Sequence, residues 1–173
     1  MSETTISATT FSEATLARFA REVAKYPAEQ RQSAVMACLA IVQQEQGHIS
    51  SESEQAVANY LGMDAITVHE VTTFYNMYNQ NPVGKFKLSV CTNLSCRLGG
   101  AEHALQVLEE KIGAKIGGTS DDGLFTLERC ECVGACADAP VLLVNDRHMC
   151  SHMTDERLHT LVDELKATQE QQA

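Results

Sequence analysis

Cysteine is the residue type that could do chemistry here. Seven are present, at positions 38, 91, 96, 130, 132, 136 and 150, and six of them follow residue 90. Cys91 and Cys96 are spaced C-x4-C in the run CTNLSCRLGG. Cys132 and Cys136 are spaced C-x3-C in CECVGACADAP, after a gap of 35 residues. Two such pairs on loops can converge on one point. Four thiolates around one point satisfy either a tetrahedral zinc or an iron–sulfur cluster. Structural zinc sites favour C-x2-C knuckles, and neither pair has that spacing. A [2Fe-2S] cluster has two irons and a wider perimeter, so longer spacings suit it. Gly134 and Ala135 let backbone N–H groups approach the sulfurs, and Gly99-Gly100 relaxes the first loop. Spacing therefore favours the cluster over zinc and leaves buried or redox thiols as a third reading. A thiol oxidoreductase is weaker, because the chain has no C-x-x-C.

The other cysteines have plainer readings. Cys38 falls on the apolar face of a helical pattern and reads as a core thiol. Cys130 lies two residues before Cys132, so on an extended strand both would point the same way and Cys130 could rival Cys132 as a ligand. Cys150 sits between His148 and His152. These three would share a strand face and could bind a metal, although a short edge strand explains them as well. His48, His69, His103 and His159 read as surface or cap residues.

Elements must bring the two pairs together. Residues 1–10 are Ser/Thr-rich and read as a disordered tail. Residues 11–80 carry four helical patterns and read as a small helical bundle. The first has Leu16, Phe19, Val23 and Tyr26 at helical spacing, with Ser12 as N-cap and Pro27 closing it. The second runs over 28–46, with Gly47 as its C′ residue. The third opens on Ser51 and Glu54, a capping-box spacing, and ends at Gly62. The fourth starts near Asp64 and carries Ile66, Val71, Phe74, Tyr75 and Tyr78, the aromatics divided between core packing and subunit interface. Residues 79–84 are a turn-rich break and the expected domain boundary. Beyond it the period changes. Phe86, Leu88 and Val90 alternate with Lys85, Lys87 and Ser89, a half-buried strand ending at Cys91. A helix over 101–112, a loop over 117–123 and a strand over 124–128 follow. The apolar run 141–144, a turn at Asn145-Asp146, a short strand near 148–151 and a helix capped by Thr154 complete residues 84–167, with a tail over 168–173. The class is α+β, a helical bundle followed by an α/β layer with helices on a small sheet. That order is compatible with a thioredoxin-like fold without selecting it.

Composition removes several functions. The formal net charge is −10, from 13 Lys plus Arg and 23 Asp plus Glu. Nucleic-acid binding needs a basic face, so it is not expected. The third and fourth helices resemble a helix-turn-helix in outline, but residues 66–74 hold no Lys or Arg. The longest apolar run, 34–42, is nine residues, short of the roughly 20 needed to span a bilayer. The N-terminus MSETTISATT has neither a basic start nor an apolar stretch, so no signal peptide and a reducing cytoplasm are expected.

The residues also resemble a known family. The stretch from Asp122 through Phe125-Thr126, then Cys132-Val-Gly-Ala-Cys136 and Ala139-Pro140, resembles the signature D-x2-F-[ST]-x5-C-L-G-x-C-x2-[GA]-P. That is the pattern of the 24 kDa subunit family of respiratory complex I, NADH:quinone oxidoreductase. Val133 stands where the family usually has Leu, and Ser95 where it often has Pro. Val71-Thr-Thr73-Phe74-Tyr75 resembles the family's V-x-T-F-Y stretch, and the likeness runs from about residue 12 to 166.

The resemblance implies a thioredoxin-like ferredoxin domain that binds one [2Fe-2S] cluster through Cys91, Cys96, Cys132 and Cys136. It implies that the helical domain docks on a flavoprotein subunit holding FMN and the NADH site. The chain itself would bind no NADH, in keeping with the lack of a G-x-G-x-x-G after a strand. It would be a non-catalytic electron-transfer subunit, cytoplasmic and peripheral, reaching the inner face of the membrane only through other complex subunits. Related subunits serve NAD-linked hydrogenases and formate dehydrogenases. Glu131 and Asp138 flank the ligands and lower a cluster's potential, while N–H donors and Arg97 raise it; a low-potential centre is expected. The reading from another class is a zinc-stapled structural adaptor.

Overall fold

The computed structural model describes residues 11–170. The expected tails at 1–10 and 171–173 lie outside the described residues. The chain divides between Pro82 and Val83 into two compact units, each with its own apolar core.

The first unit is helical. Helix α1 (Glu13–Val23) opens on Ser12, whose Oγ accepts the Thr15 N–H at 3.1 Å. Residues Ala28–Ala34 form a 3-10 turn broken at Gln30, and only then does α2 (Val35–Gln46) begin, closed by Gly47 at φ +78°. The second helix is thus seven residues shorter than its apolar pattern implied, because Ala28–Ala34 is polar except at its ends and has no face to bury. Helix α3 (Ser51–Leu61) is capped by Ser50, not Ser51; the Ser50 Oγ accepts the Ser53 N–H at 3.2 Å. Glu54 makes no capping box. Its carboxylate is buried and accepts from Thr72 Oγ1, with His69 Nδ1 3.0 Å away. Helix α4 (Ala65–Phe74) stops before Tyr75. The aromatic set divides: Tyr78 is buried and donates to the Met36 carbonyl at 2.9 Å, while Phe74 is 80% exposed. Phe19 centres the core, with the rings of Phe11 and Tyr60 at 5.0 and 5.1 Å.

The second unit is a five-stranded sheet in the order β2-β3-β1-β4-β5. Its strands are β1 (Phe86–Cys91), β2 (Gly118–Thr119), β3 (Phe125–Cys130), β4 (Leu142–Val144) and β5 (His148–Cys150). Strand β1 pairs parallel with β3 and antiparallel with β4. Its central place explains a departure from the expected alternation, since all six of its residues are buried. Phe86, Leu88 and Val90 join the core with Leu105 and Leu108 of α6 (Ala101–Ile112) and Leu158 and Val162 of α7 (Asp155–Glu170). On the other face Lys87, 2% exposed, reaches Asp146 Oδ2 at 2.6 Å. Helix α7 continues through 168–170, which the sequence assigned to a tail.

Two signature residues far from any cysteine act in the fold. Asp122 Oδ1 accepts the Leu124 N–H at 2.9 Å and the Ser120 hydroxyl at 2.5 Å, fixing the turn into β3. Thr126 Oγ1 accepts the Gly84 N–H at 2.6 Å, which ties the start of the unit to β3.

Candidate metal centre

Strand geometry sets the site. Cys91 closes β1, and its N–H donates to the Val141 carbonyl at 3.0 Å. The Thr92 N–H donates to the Cys130 carbonyl at 3.2 Å, so the ends of β1 and β3 stay together. Immediately after, the chain winds into α5 (Leu94–Leu98), a five-residue helix that carries Cys96. Both Cys91 and Cys96 are buried. Cys132 and Cys136 sit on the loop after β3, both exposed, with Cys136 opening a 3-10 turn (Cys136–Asp138).

Small residues and backbone bonds bring this loop to α5. A Cβ on Gly99 would stand 2.7 Å from the Ala139 Cβ, so only glycine allows the two segments this approach. The His152 N–H donates to the Asp138 carbonyl at 2.7 Å and the Met153 N–H to the Pro140 carbonyl at 3.0 Å, holding the loop from its far side.

Cys96 feels the other three cysteines. Burial pushes the Cys96 thiol up to about 11, helped by its hydrogen bond to Cys91 and by the charges of Cys91, Cys136 and Cys132. Burial also pushes Cys91 up, but the backbone N–H groups of Asn93 and Val133 and the Cys96 thiol outweigh it, and the net direction is down. The Gly134 N–H donates to Cys132 Sγ at 3.4 Å, from a backbone at φ +76°. Sulfurs collecting N–H donors is what an iron–sulfur site requires, because those donors offset thiolate charge. The donor set therefore fits a [2Fe-2S] group. Among the described residues, no three His, Cys, Asp or Glu side chains stand close enough together to hold a single ion.

The remaining cysteines have other surroundings. Cys130 ends β3 and its thiol donates to the Ser89 carbonyl at 3.5 Å. Burial, with the Cys91 charge, pushes it up to about 12. The strand stops at Cys130, so the two-residue period that would have aligned it with Cys132 no longer applies. His148 and Cys150 lie on β5, whereas His152 follows it at φ +52° with Nε2 3.5 Å from Asp138 Oδ1. The expected single face of three is not formed. Cys38 is buried in the helical core.

A profile of the thioredoxin-like [2Fe-2S] ferredoxin family matches residues 19–166. The chain belongs to that family. It is 40% identical over 146 residues to a subunit of the NADH-quinone oxidoreductase of Rhizobium meliloti, covering 84% of this chain and 85% of the relative. The NADH-quinone oxidoreductase subunit 2 of Thermus thermophilus is 42% identical over 144 residues, covering 83% of this chain and 80% of the relative. Among solved structures, a chain of an NAD+-reducing [NiFe]-hydrogenase matches with a TM-score of 0.64 at 16% identity, over 75% of this chain and 23% of that one. That likeness shows a shared fold. The family match accords with the thioredoxin-like class read from the sequence.

Sequence reasoning missed two parts of this candidate site. The N–H donors Asn93 and Val133 carry no side-chain signal. A carboxylate network, in which Glu102 Oε1 and Oε2 accept from Arg129 Nη1 and Nη2 at 2.7 and 2.8 Å, joins residues 27 apart in the chain. The Arg129 guanidinium holds the Glu102 carboxyl below its ordinary range.

Proposed function

We propose that this ferredoxin is the electron-transfer subunit of an NADH:quinone oxidoreductase and holds one [2Fe-2S] cluster through Cys91, Cys96, Cys132 and Cys136. The observation that supports the reading is that Cys96 hydrogen-bonds to Cys91 and feels the charges of Cys132 and Cys136, beside the paired ends of β1 and β3. Relatives named as subunits of NADH-quinone oxidoreductases, at about 40% identity over most of the chain, support the choice of complex.

Bound there, the cluster takes up and gives back one electron. The chain's residues set the conditions. Cys91 and Cys96 sit where water is excluded, so the inner side of the site is held by packed protein. Cys132 and Cys136 bring the other side to the surface, within reach of a docked partner. The N–H groups of Asn93, Val133 and Gly134 stabilise thiolate charge, and Glu131, whose charge acts on Cys91, opposes it. Acidic neighbours disfavour a further negative charge, so the centre is of low potential.

The partner is a flavoprotein subunit that carries FMN and binds NADH. Its docking surface includes the exposed apolar residues Ile66, Phe74 and Met77 of the helical unit. No helix among the described residues is long and apolar enough to cross a membrane. The subunit reaches the membrane through the complex.

Iron and sulfide analysis with EPR of the dithionite-reduced chain tests this. About two irons and two sulfides per chain with an S = 1/2 signal are expected. About one zinc and no iron would overturn the reading and leave a structural adaptor.

A further inference from the structure

Arg97 directly follows Cys96, and Arg129 precedes Cys130, the residue paired with Cys91 across β1 and β3. Both guanidinium groups turn to one carboxylate. Glu102 takes Arg129 in a two-point clasp at 2.7 and 2.8 Å, and its Oε1 lies 3.3 Å from Arg97 Nε. Glu102 stands in the first turn of α6, where the helix N-terminus favours a carboxylate. One side chain thus joins α5, the end of β3 and the start of α6, the three elements around the buried cysteine pair.

The following rests on the [2Fe-2S] reading of the thiol site. We propose that Glu102 is a positioning residue for that site: it ties Arg97, next to Cys96 in the chain, to Arg129 at the end of β3, cancels one of their two charges, and so sets how readily the site accepts an electron. Positive charge near the site favours its more negative, reduced form. A guanidinium held in a two-point clasp acts from a fixed place, unlike a solvated one. The three side chains are 34 to 64% exposed, so water screens them and the effect is modest.

Charge and position are separable. Glu102→Gln keeps the shape and an acceptor oxygen but removes the negative charge. Arg129→Gln removes one positive charge. The double variant restores the original net charge. A merely structural role would move both single variants the same way and make the double variant worse.

The test uses the full-length chain, with iron and sulfide measured first and midpoint potentials then read by EPR-monitored redox titration. At the natural chain's midpoint, Glu102→Gln should raise the ratio of reduced to oxidised centres about threefold, and Arg129→Gln should lower it by a similar factor. Threefold is about 28 mV for one electron at 59 mV per decade. The double variant should return towards the natural value, and all shifts should shrink at about 0.5 M salt. Should Glu102→Gln alone fail to fold, the step from Arg129→Gln to the double variant removes the same carboxylate and must move the midpoint up. An unmoved midpoint at full iron loading, or shifts of one sign in both single variants, overturns the role of Glu102 and leaves the cluster reading standing. A natural chain without iron and sulfide overturns the cluster reading itself, and this inference with it.

Discussion

The helical unit and the sheet unit use cysteine in opposite ways. Cys38 in the helical core is fully buried, and burial pushes its thiol up to about 12. Around the end of β1, Cys91 is buried as well, yet N–H donors and a neighbouring thiol bring it down. Burial alone therefore does not separate a packing sulfur from a chemical one. At Cys91 the backbone N–H donors of Asn93 and Val133 outweigh burial, whereas Cys96 beside it stays pushed up to about 11.

The largest expected effect tests that division directly. Cys96→Ser should abolish stable iron binding, since it replaces a thiolate ligand by a hydroxyl. Cys38→Ala should leave iron and sulfide content unchanged and cost about 1–2 kcal/mol in urea unfolding. Equal iron loss in both variants would break the comparison.

Reactivity sharpens it next. In the metal-free chain at pH 8, Cys132 and Cys136 should alkylate first, being exposed. Cys38 and Cys130, both pushed by burial to about 12 against an ordinary 9, should hold about a thousandfold less thiolate. Mass spectrometry of iodoacetamide-treated chain over time reads the order. Rapid labelling of Cys130 would show that burial does not hold its thiol protonated.

Much of this was legible in the sequence, and the failures are physical. Cys91 was placed at a strand end by the alternation Phe86, Leu88, Val90, and Cys132 and Cys136 by their loop signature. Helix α5 escaped notice because five residues are too few to show a 3.6-residue period. Lys87 read as solvent-facing because alternation cannot report that β1 is flanked on both sides and that Asp146, from a distant turn, covers the ammonium. Glu54 fitted a capping box by spacing, but its partners His69 and Thr72 come from the next helix. Long-range polar contacts leave no local pattern.

Core substitutions give the third effect. Phe19→Ala in the helical core and Phe125→Ala in the sheet core each remove a fully buried ring, at about 3–5 kcal/mol. The two should differ in consequence. Phe125 lies on the strand that ends at Cys130, so its loss should lower iron loading together with stability. Phe19→Ala should lower the far-UV unfolding midpoint and leave the EPR signal in place. A loss of signal in Phe19→Ala would mean that the helical core supports the metal centre.

The smallest effect concerns the far end of the strand that leads to the cysteines. The Ser120 hydroxyl and the Leu124 N–H hold the Asp122 carboxyl below its ordinary 3.8. As pH falls, the unfolded chain therefore takes up this proton before the folded one. The contribution to stability is present above about pH 4 and is lost as pH drops through the lower folded value. Asn at this position keeps an acceptor for both donors but cannot titrate. The turn is roughly 17 Å along β3 from Cys130, so it can be read without disturbing the centre. Protection of the Leu124 amide against hydrogen exchange should be lower in Asp122→Asn than in the natural chain at pH 6. The gap should narrow as the pH falls through the lowered folded value of Asp122. A gap that stays constant across that range would mean that the carboxylate charge contributes nothing, and that the signature aspartate is kept for its oxygen alone.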